Sequence, residues 1–320
     1  MKKGVLVIMI LIFIAGSMFA TGSKEGAKEE KKEFITIKGS QVGGTWYAGC
    51  AAWAKLITDN TKYIATNVAS PGITVENITR MMEGKAQLGY FETPIAHRAL
   101  NGQDDWKQPV QVRALFGIWP GVYNMIVHEK LGVKDLYGLK GKTVATLVEG
   151  DPTGETFMEL LAMHGITPQT AKILRIQKTD AVRMFIDEKL DFMVYAFGHG
   201  HSQVKEMSTA RKIKFITGDP KHMQTWLNKY PFYYLEMFGK EFGVTEELQL
   251  VGPYVAGCLA SLPDDQAYLF TKVWWENYDY LMQALPNNMP HTNRTNPMAG
   301  IPIPIHPGAE KYFKEIGVMK

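Results

Sequence analysis

The chain has 320 residues, 35 of them basic and 32 acidic, for a formal charge of +3. A chain of this length buries a substantial core and usually divides it between two domains. Its near-neutral balance, with no basic run interleaved with aromatics, argues against a nucleic-acid partner.

Lys2 and Lys3 precede an apolar run from Val5 to Ile14, and Ala15, Gly16, Ser17 and Ala20 supply small residues for cleavage. That is the arrangement of a secretory signal over residues 1–20. The run is too short for a comfortable bilayer span and no later segment approaches ~18 consecutive apolar residues, so the mature chain is expected to be periplasmic and soluble. An uncleaved anchor is the alternative. Cleavage after Ala20 would remove Lys2 and Lys3 and most of the surplus positive charge. No cysteine lies near the cleavage region to carry a lipid. Residues 21–33, rich in Gly, Ser, Lys and Glu, have almost nothing to bury and read as a disordered tether.

From Phe34 onward short β-like runs alternate with helical stretches, the pattern of an α/β fold with largely parallel sheets. The first strands are expected at 34–38, 64–69, 87–91 and 112–116. Between them, Cys50, Trp53, Ala54 and Ile57 share one face at helical spacing, as do Val75, Ile78, Met81 and Met82, which Gly84 terminates. A second set begins near Asp135, with strands at 143–148, 173–176, 192–196 and 213–217 and helices at 154–164 and 181–189. Trp119-Pro120-Gly121 sits between two apolar runs and suggests a crossing from one lobe to the next. After Asp219 come a Tyr- and Phe-rich segment, an apolar run at 251–262 and a helix over 264–284. The prolines of Ile301-Pro302-Ile303-Pro304-Ile305-His306-Pro307 forbid a central strand, so this tail is expected to wrap over a lobe. The lobes are assigned as 34–120 plus 230–320 and 121–229, hinged near Pro120 and again between Gly218 and Tyr230. A cleft between two lobes is a preferred place for a small ligand.

The segment Gly39-Ser40-Gln41-Val42-Gly43-Gly44-Thr45-Trp46-Tyr47 joins the first strand to the first helix. Its glycines let the backbone approach a bound group, and the unpaired N–H groups at the positive end of the helix dipole favour a carboxylate or phosphate. Such turns are also ordinary connectors, so the motif gains weight only from its surroundings.

Other motifs have plainer readings. His199 and His201 stand two apart, but no nearby cysteine or acidic cluster completes a metal site, and Gly198 and Gly200 fit a turn. Gly141-Lys142-Thr143 lacks the glycine five residues earlier that a phosphate-binding loop needs. Cys50 has no local histidine to activate it, and its spacing suits packing. It and Cys258 are the only cysteines, and sequence leaves open whether they pair. Asn77-Ile78-Thr79 matches a glycosylation sequon inside a helical pattern, which opposes it. Glu76 either supports its helix N-terminus or accepts a ligand amine. Trp46, Tyr47, Phe91, Tyr195, Phe197, Trp226, Tyr230, Phe232 and Tyr233 are candidate cleft aromatics, Trp46 and Tyr47 first because the glycine loop places them.

In order, Gly39-Ser40 through Gly44-Thr45-Trp46-Tyr47, Val75-Glu76-Asn77, Gly84 through Leu88-Gly89, Asp135 through Leu139-Lys140-Gly141-Lys142, Thr153-Gly154-Glu155, Tyr230-Pro231-Phe232-Tyr233 and Ile303 to Ala309 resemble the TAXI family. These are extracytoplasmic solute receptors of tripartite ATP-independent periplasmic (TRAP) transporters. The resemblance, running from about Ile37 to about Tyr312, implies a two-lobed α/β periplasmic-binding-protein fold of type II-like form that closes on a small organic or amino acid and delivers it to a membrane permease. It implies no catalysis and no cofactor. The ligand-binding residues it implies are Ser40, Gly43, Gly44, Thr45, Trp46, Tyr47, Glu76, Asn77, Thr153, Gly154, Glu155, Ala196, Phe197, Tyr230 and Tyr233. Phe91 and Glu92 join them from the segment Phe91-Glu92-Thr93-Pro94, which replaces a Gln-Ser-Asp-like stretch of the family. There, an acidic residue in place of an amide would repel a side-chain carboxylate. A two-lobed enzyme acting on a small carboxylated substrate and a surface interaction protein are the rival readings.

Overall fold

The computed structural model describes residues 33–70, 73–103, 106–149 and 151–320. The expected export signal and all of the expected tether but Glu33 lie outside the described residues. Glu33 itself opens the first strand, where it pairs with Tyr63.

The chain runs β1(Glu33–Lys38), α1(Thr45–Asn60), β2(Tyr63–Val68), α2(Ile73–Met82), β3(Leu88–Glu92), α3(Thr93–Leu100) and β4(Val112–Gly117). It continues through β5(Gly121–His128), β6(Thr143–Thr146), α4(Pro152–Met163), β7(Lys172–Arg175), α5(Lys178–Ile186), β8(Phe192–Ala196), α6(Ser202–Ala210) and β9(Ile213–Phe215). The remainder is α7(Pro220–Lys229), β10(Tyr234–Phe238), β11(Glu247–Gly252), β12(Tyr254–Leu259), α8(Asp264–Glu276), α9(Tyr278–Ala284) and α10(Pro307–Glu315).

Two sheets result. The first has the order β2-β1-β3-β12-β4, the second β10-β11-β5-β8-β6-β7 with β9 paired to β5. Each is mixed: β1 pairs in parallel with β2 and β3, and β6 with β7 and β8, while β12 and β5 run antiparallel to their neighbours. Apolar clusters cover both faces of each sheet, so the central strands are buried on both sides, as in β5, whose eight residues are all buried. One face of the first sheet carries a cluster built on Trp53, Tyr90, Phe116 and Trp274, the other a cluster of Ile78, Phe91, Val112 and Val255. The Trp53 indole donates to Phe270 O at 3.0 Å, which ties α1 to α8 while keeping the buried ring's polar atom satisfied. Trp274 and Trp275 of α8 are both buried in that core.

The chain changes sheets twice. The first change lies between β4 and β5, at Trp119-Pro120, where the sequence suggested one. The second lies at Pro253, between β11 and β12, not between Gly218 and Tyr230. Residues 234–252 thus pair within the second sheet and do not belong with the first lobe, to which a boundary at 230 assigned them. The reason is non-local: β10 is an edge strand with Tyr234 and Met237 exposed, and only its pairing with β11 makes it a strand. The same proline splits the expected single run at 251–262 into two strands, and Asn277 splits the helix expected over 264–284 into α8 and α9.

The proline-rich tail wraps the first sheet as expected. Ala114 N donates to Pro304 O and His306 N to Ala114 O, so the tail satisfies the outer edge of β4. His306 then caps α10, its Nδ1 accepting from Gly308 N at 3.2 Å. Among the described residues no helix is long and apolar enough to cross a membrane.

Candidate functional site

The Gly-rich segment enters α1 without a cap. Gly43 adopts φ +87°, a conformation that L side chains rarely take, and Gly44 stands at the N-cap, where it has no side chain to offer the helix. No acidic residue occupies the first turn. A 16-residue helix therefore begins with its orphan N–H groups and positive pole unanswered by any side chain of its own N-cap or first turn.

That N-terminus opens on a cavity of about 100 Å³ lined by Ser40, Gly44, Thr45, Trp46, Glu92, Trp119 and Tyr254 from the first sheet's side. Lys178, Ala196, Gly198 and His201 close it from the second sheet's side. Larger hollows exist, such as one of about 540 Å³ between Trp275 and Tyr312 and one of about 560 Å³ beside Phe232. Those are open surface grooves, whereas the small cavity gathers two charged side chains, the buried Glu92 and the half-buried Lys178.

Glu92 ends β3 and is buried. Burial, reinforced by the nearby Asp151 carboxylate, pushes its carboxyl up to about 8, against the opposing pull of a Thr153 hydrogen bond and of Lys178. Thr153 Oγ1 donates to Glu92 Oε2 at 3.0 Å, a bond that spans the two sheets' halves of the molecule. Around it stand the phenols of Tyr123, Tyr233 and Tyr254, all raised by burial and then by the Glu92 charge. Asp151 caps α4 by accepting from Gly154 N at 2.9 Å.

Lys178 is the first residue of α5, and its Nζ donates to Ala196 O at 3.2 Å and sits 5.3 Å from the centre of the Phe197 ring. Burial lowers it to about 8, with Glu92 pulling the other way. Both groups thus hold their protons through neutral pH, leaving the cavity with the positive charge of Lys178. His201 caps α6, its Nδ1 accepting from Gln203 N at 3.3 Å, while burial and then Lys178 drive its basicity down to about 3. The ring is neutral, and the accepted bond at Nδ1 assigns its hydrogen to Nε2, a donor. In the same wall Trp119 is 1% exposed, and its indole N–H has no hydrogen-bond partner among the described residues.

Of the residues expected from sequence, Ser40, Gly44, Thr45, Trp46, Glu92 and Ala196 line this cavity, and Thr153 and Tyr233 stand behind it. The others serve elsewhere. Gly43 sits in the exposed turn, and Tyr47 uses its carbonyl to accept from Asn67 Nδ2. Glu76 lies 3.7 Å from Lys38 Nζ and 3.6 Å from Arg80 Nε, so cations of the chain hold it rather than a ligand amine. Asn77 is buried and donates to Gly39 O and Tyr90 O, which closes it to glycosylation and makes it a brace for the loop. Phe91 and Phe197 are fully buried in separate cores. Gly154 and Glu155 start α4, Glu155 paired with Arg175 at 2.9 Å, and Tyr230 donates to Glu159.

The expectation for His199 and His201 resolves differently for each. His199 stacks on His291 with ring centres 3.3 Å apart, whereas His201 lines the cavity. No cluster of metal-ligating residues occurs among the described residues. Cys50 and Cys258 are both buried free thiols, and burial raises each thiol, so Cys50 is no thiolate nucleophile.

Lys178, Trp119 and Tyr254 were not chosen from sequence, and His201 was weighed only as half of a metal pair. Lys178 carried a signal: a lysine at the first position of a helix opposes the dipole, an arrangement that costs about 0.3–1 kcal/mol unless something else employs the charge. Tyr254 carried none.

Residues 37–317 match the NMT1-like family, and the chain belongs to it. Solved structures share the fold at low identity. The binding-protein component of an ABC phosphonate transporter from Pseudomonas aeruginosa is 12% identical with a TM-score of 0.51, over 77% of this chain and 75% of that one. A protein from a study of glutathione import via GshT and the cystine ABC importer TcyBC of Streptococcus mutans is 12% identical with a TM-score of 0.50, over 80% of this chain and 96% of that one. The fold is that of two-lobed α/β periplasmic binding proteins.

Proposed function

We propose that this chain is an extracytoplasmic solute receptor that captures a small organic or amino acid by closure of its two lobes and delivers it to a membrane permease. The resemblance to TAXI receptors makes that permease a TRAP-type secondary transporter, and the export signal expected over residues 1–20 puts the receptor in the periplasm. The chain performs no chemistry on its ligand. The observation that carries this reading is the cavity itself: the uncapped N-terminus of α1 from one half of the molecule and the half-buried Lys178 from the other line one small space. Contacts made to both halves favour the closed state, because only differential affinity shifts such an equilibrium. Backbone N–H groups at the start of α1, with Thr45, hold the carboxylate, and Lys178 supplies the countercharge. The lobes meet at Trp119-Pro120 and Pro253, which act as the hinge.

The test is native mass spectrometry of the mature chain followed by thermal shift with small acids and amino acids. A ligand at 100 times its dissociation constant should stabilise the protein by about 2.7 kcal/mol. A co-purified acid or a selective shift supports the receptor; turnover of the bound compound would replace it with the enzyme reading.

A further inference from the structure

The two halves of the molecule meet at the cavity through protein atoms alone. Thr153 is the second residue of α4 and Glu92 the last of β3, and Thr153 Oγ1 donates to Glu92 Oε2 at 3.0 Å. The two residues are 1% and 6% exposed, so water competes little for the bond. Each partner is anchored in its own half. Glu92 N donates to Thr74 Oγ1 at 2.8 Å, and the next N–H, of Thr93, donates to Pro253 O at 3.3 Å. Opposite them Arg175 donates to Leu147 O, Val148 O and Glu155, which ties the turn before α4 to the first turn of that helix. With both backbones held, the bond cannot survive a separation of the halves by more than a few ångström. A second direct contact borders the same cavity. His199, next to the lining residue Gly198, stacks on His291 of the other half with ring planes 5° apart, and a Cβ on Gly200 would stand 2.6 Å from Asn287 Cγ.

We propose that the Thr153–Glu92 bond is a latch that draws the two halves together with no ligand between them, so that the closed form is already populated when a ligand arrives. The inference rests on the receptor reading for the premise that the halves move. A ligand that binds the closed form best then loses less of its affinity to closure, since apparent affinity scales with the populated fraction of the competent form. The latch works in either protonation state of Glu92, because a carboxyl keeps an acceptor oxygen in both.

Small-angle X-ray scattering of the mature chain tests this, after partial unfolding in urea and dialysis to strip bound solutes, with native mass spectrometry confirming that none remains. The parent is expected to stay compact. Thr153→Val keeps the branched shape and lacks the donor; it should lower the closed-to-open ratio by about 2- to 13-fold and increase the radius of gyration. Thr153→Ser keeps the donor and should scatter like the parent. If Thr153→Val fails to fold, Glu92→Met breaks the same bond from the other half and carries the same expectation. A parent as extended as the variant without the bond, a variant without the bond as compact as the parent, or a Thr153→Ser chain as extended as Thr153→Val overturns the latch. None of these outcomes touches the receptor reading, which the search for a bound solute decides separately.

Discussion

Replacing Lys178 by methionine should separate binding from stability. The side chain is half-buried, and desolvation lowers its ammonium from 10.5 to about 8, which at about 1.4 kcal/mol per unit is a penalty of at most about 3 kcal/mol in the folded protein at neutral pH. Methionine has a similar length and removes that penalty. Lost with the charge is the Nζ bond to Ala196 O, worth about 1.5–3 kcal/mol for an ionised donor. The ligand-free variant should therefore be as stable as the parent or more stable by up to about 2 kcal/mol. A ligand carboxylate, however, loses a charge-assisted bond of about 1.5–3 kcal/mol, a fall in affinity of about 10- to 150-fold. Urea unfolding at pH 7 and isothermal titration of the co-purified or selected acid give the two numbers. A variant destabilised by more than about 2 kcal/mol with unchanged affinity would refute the assignment and make Lys178 a structural brace. The parent should also gain stability as pH rises from 8 to 10.5, where the unfolded chain keeps the Lys178 proton that the folded protein has released, and the variant should lack that gain.

Glu92 has the opposite sign. Folded, it keeps its proton up to about 8, whereas the unfolded chain releases it near 4.5, so stability falls as pH rises between those values by at most about 1.4 kcal/mol per unit. The difference in stability between the parent and Glu92→Gln, measured by denaturant unfolding from pH 5 to 8, should therefore widen in favour of the variant; a flat difference would mean that Glu92 is ionised in the folded state. Gly49 lies within α1, and a Cβ there would stand 2.5 Å from Trp119 Cη2 and 2.9 Å from Tyr90 Cε2. Gly49→Ala gains about 1 kcal/mol of helix propensity but overpacks by about 1–3 kcal/mol; differential scanning calorimetry should find it equal to the parent or less stable, and ligand affinity should fall because Trp119 is pushed in the cavity wall. Cys50 and Cys258 should resist a thiol reagent in the native protein and both react once it is unfolded. Rapid native labelling would contradict their burial.

What the sequence determined by itself was local. Most strands and helices could be placed because apolar periodicity and glycine stops act within a few residues, as at α1, where Cys50, Trp53 and Ile57 share the buried face. The loop from Gly39 to Trp46 was legible for the same reason: a strand, two glycines and a helix start dictate unpaired N–H groups wherever they occur. Glu92 was legible as a departure from a resembling family. Only the tertiary structure decided which of these residues meet. Whether Glu76 faces a ligand or Lys38 depends on β1 lying beside α2, and whether Phe91 lines a cleft or a core depends on which face of β3 the helices cover. Strand pairing joins residues more than a hundred positions apart, as β5 joins β11 across Tyr123 and Leu250, and no local pattern encodes that partner. The same pairing carries the chain back at Pro253 rather than before Tyr230, brings Tyr254 to the cavity, and places Lys178 and His201 opposite Glu92 and Trp46. The charge states that give the cavity its preference follow from that burial, because desolvation is a property of the assembled surroundings and not of the residue.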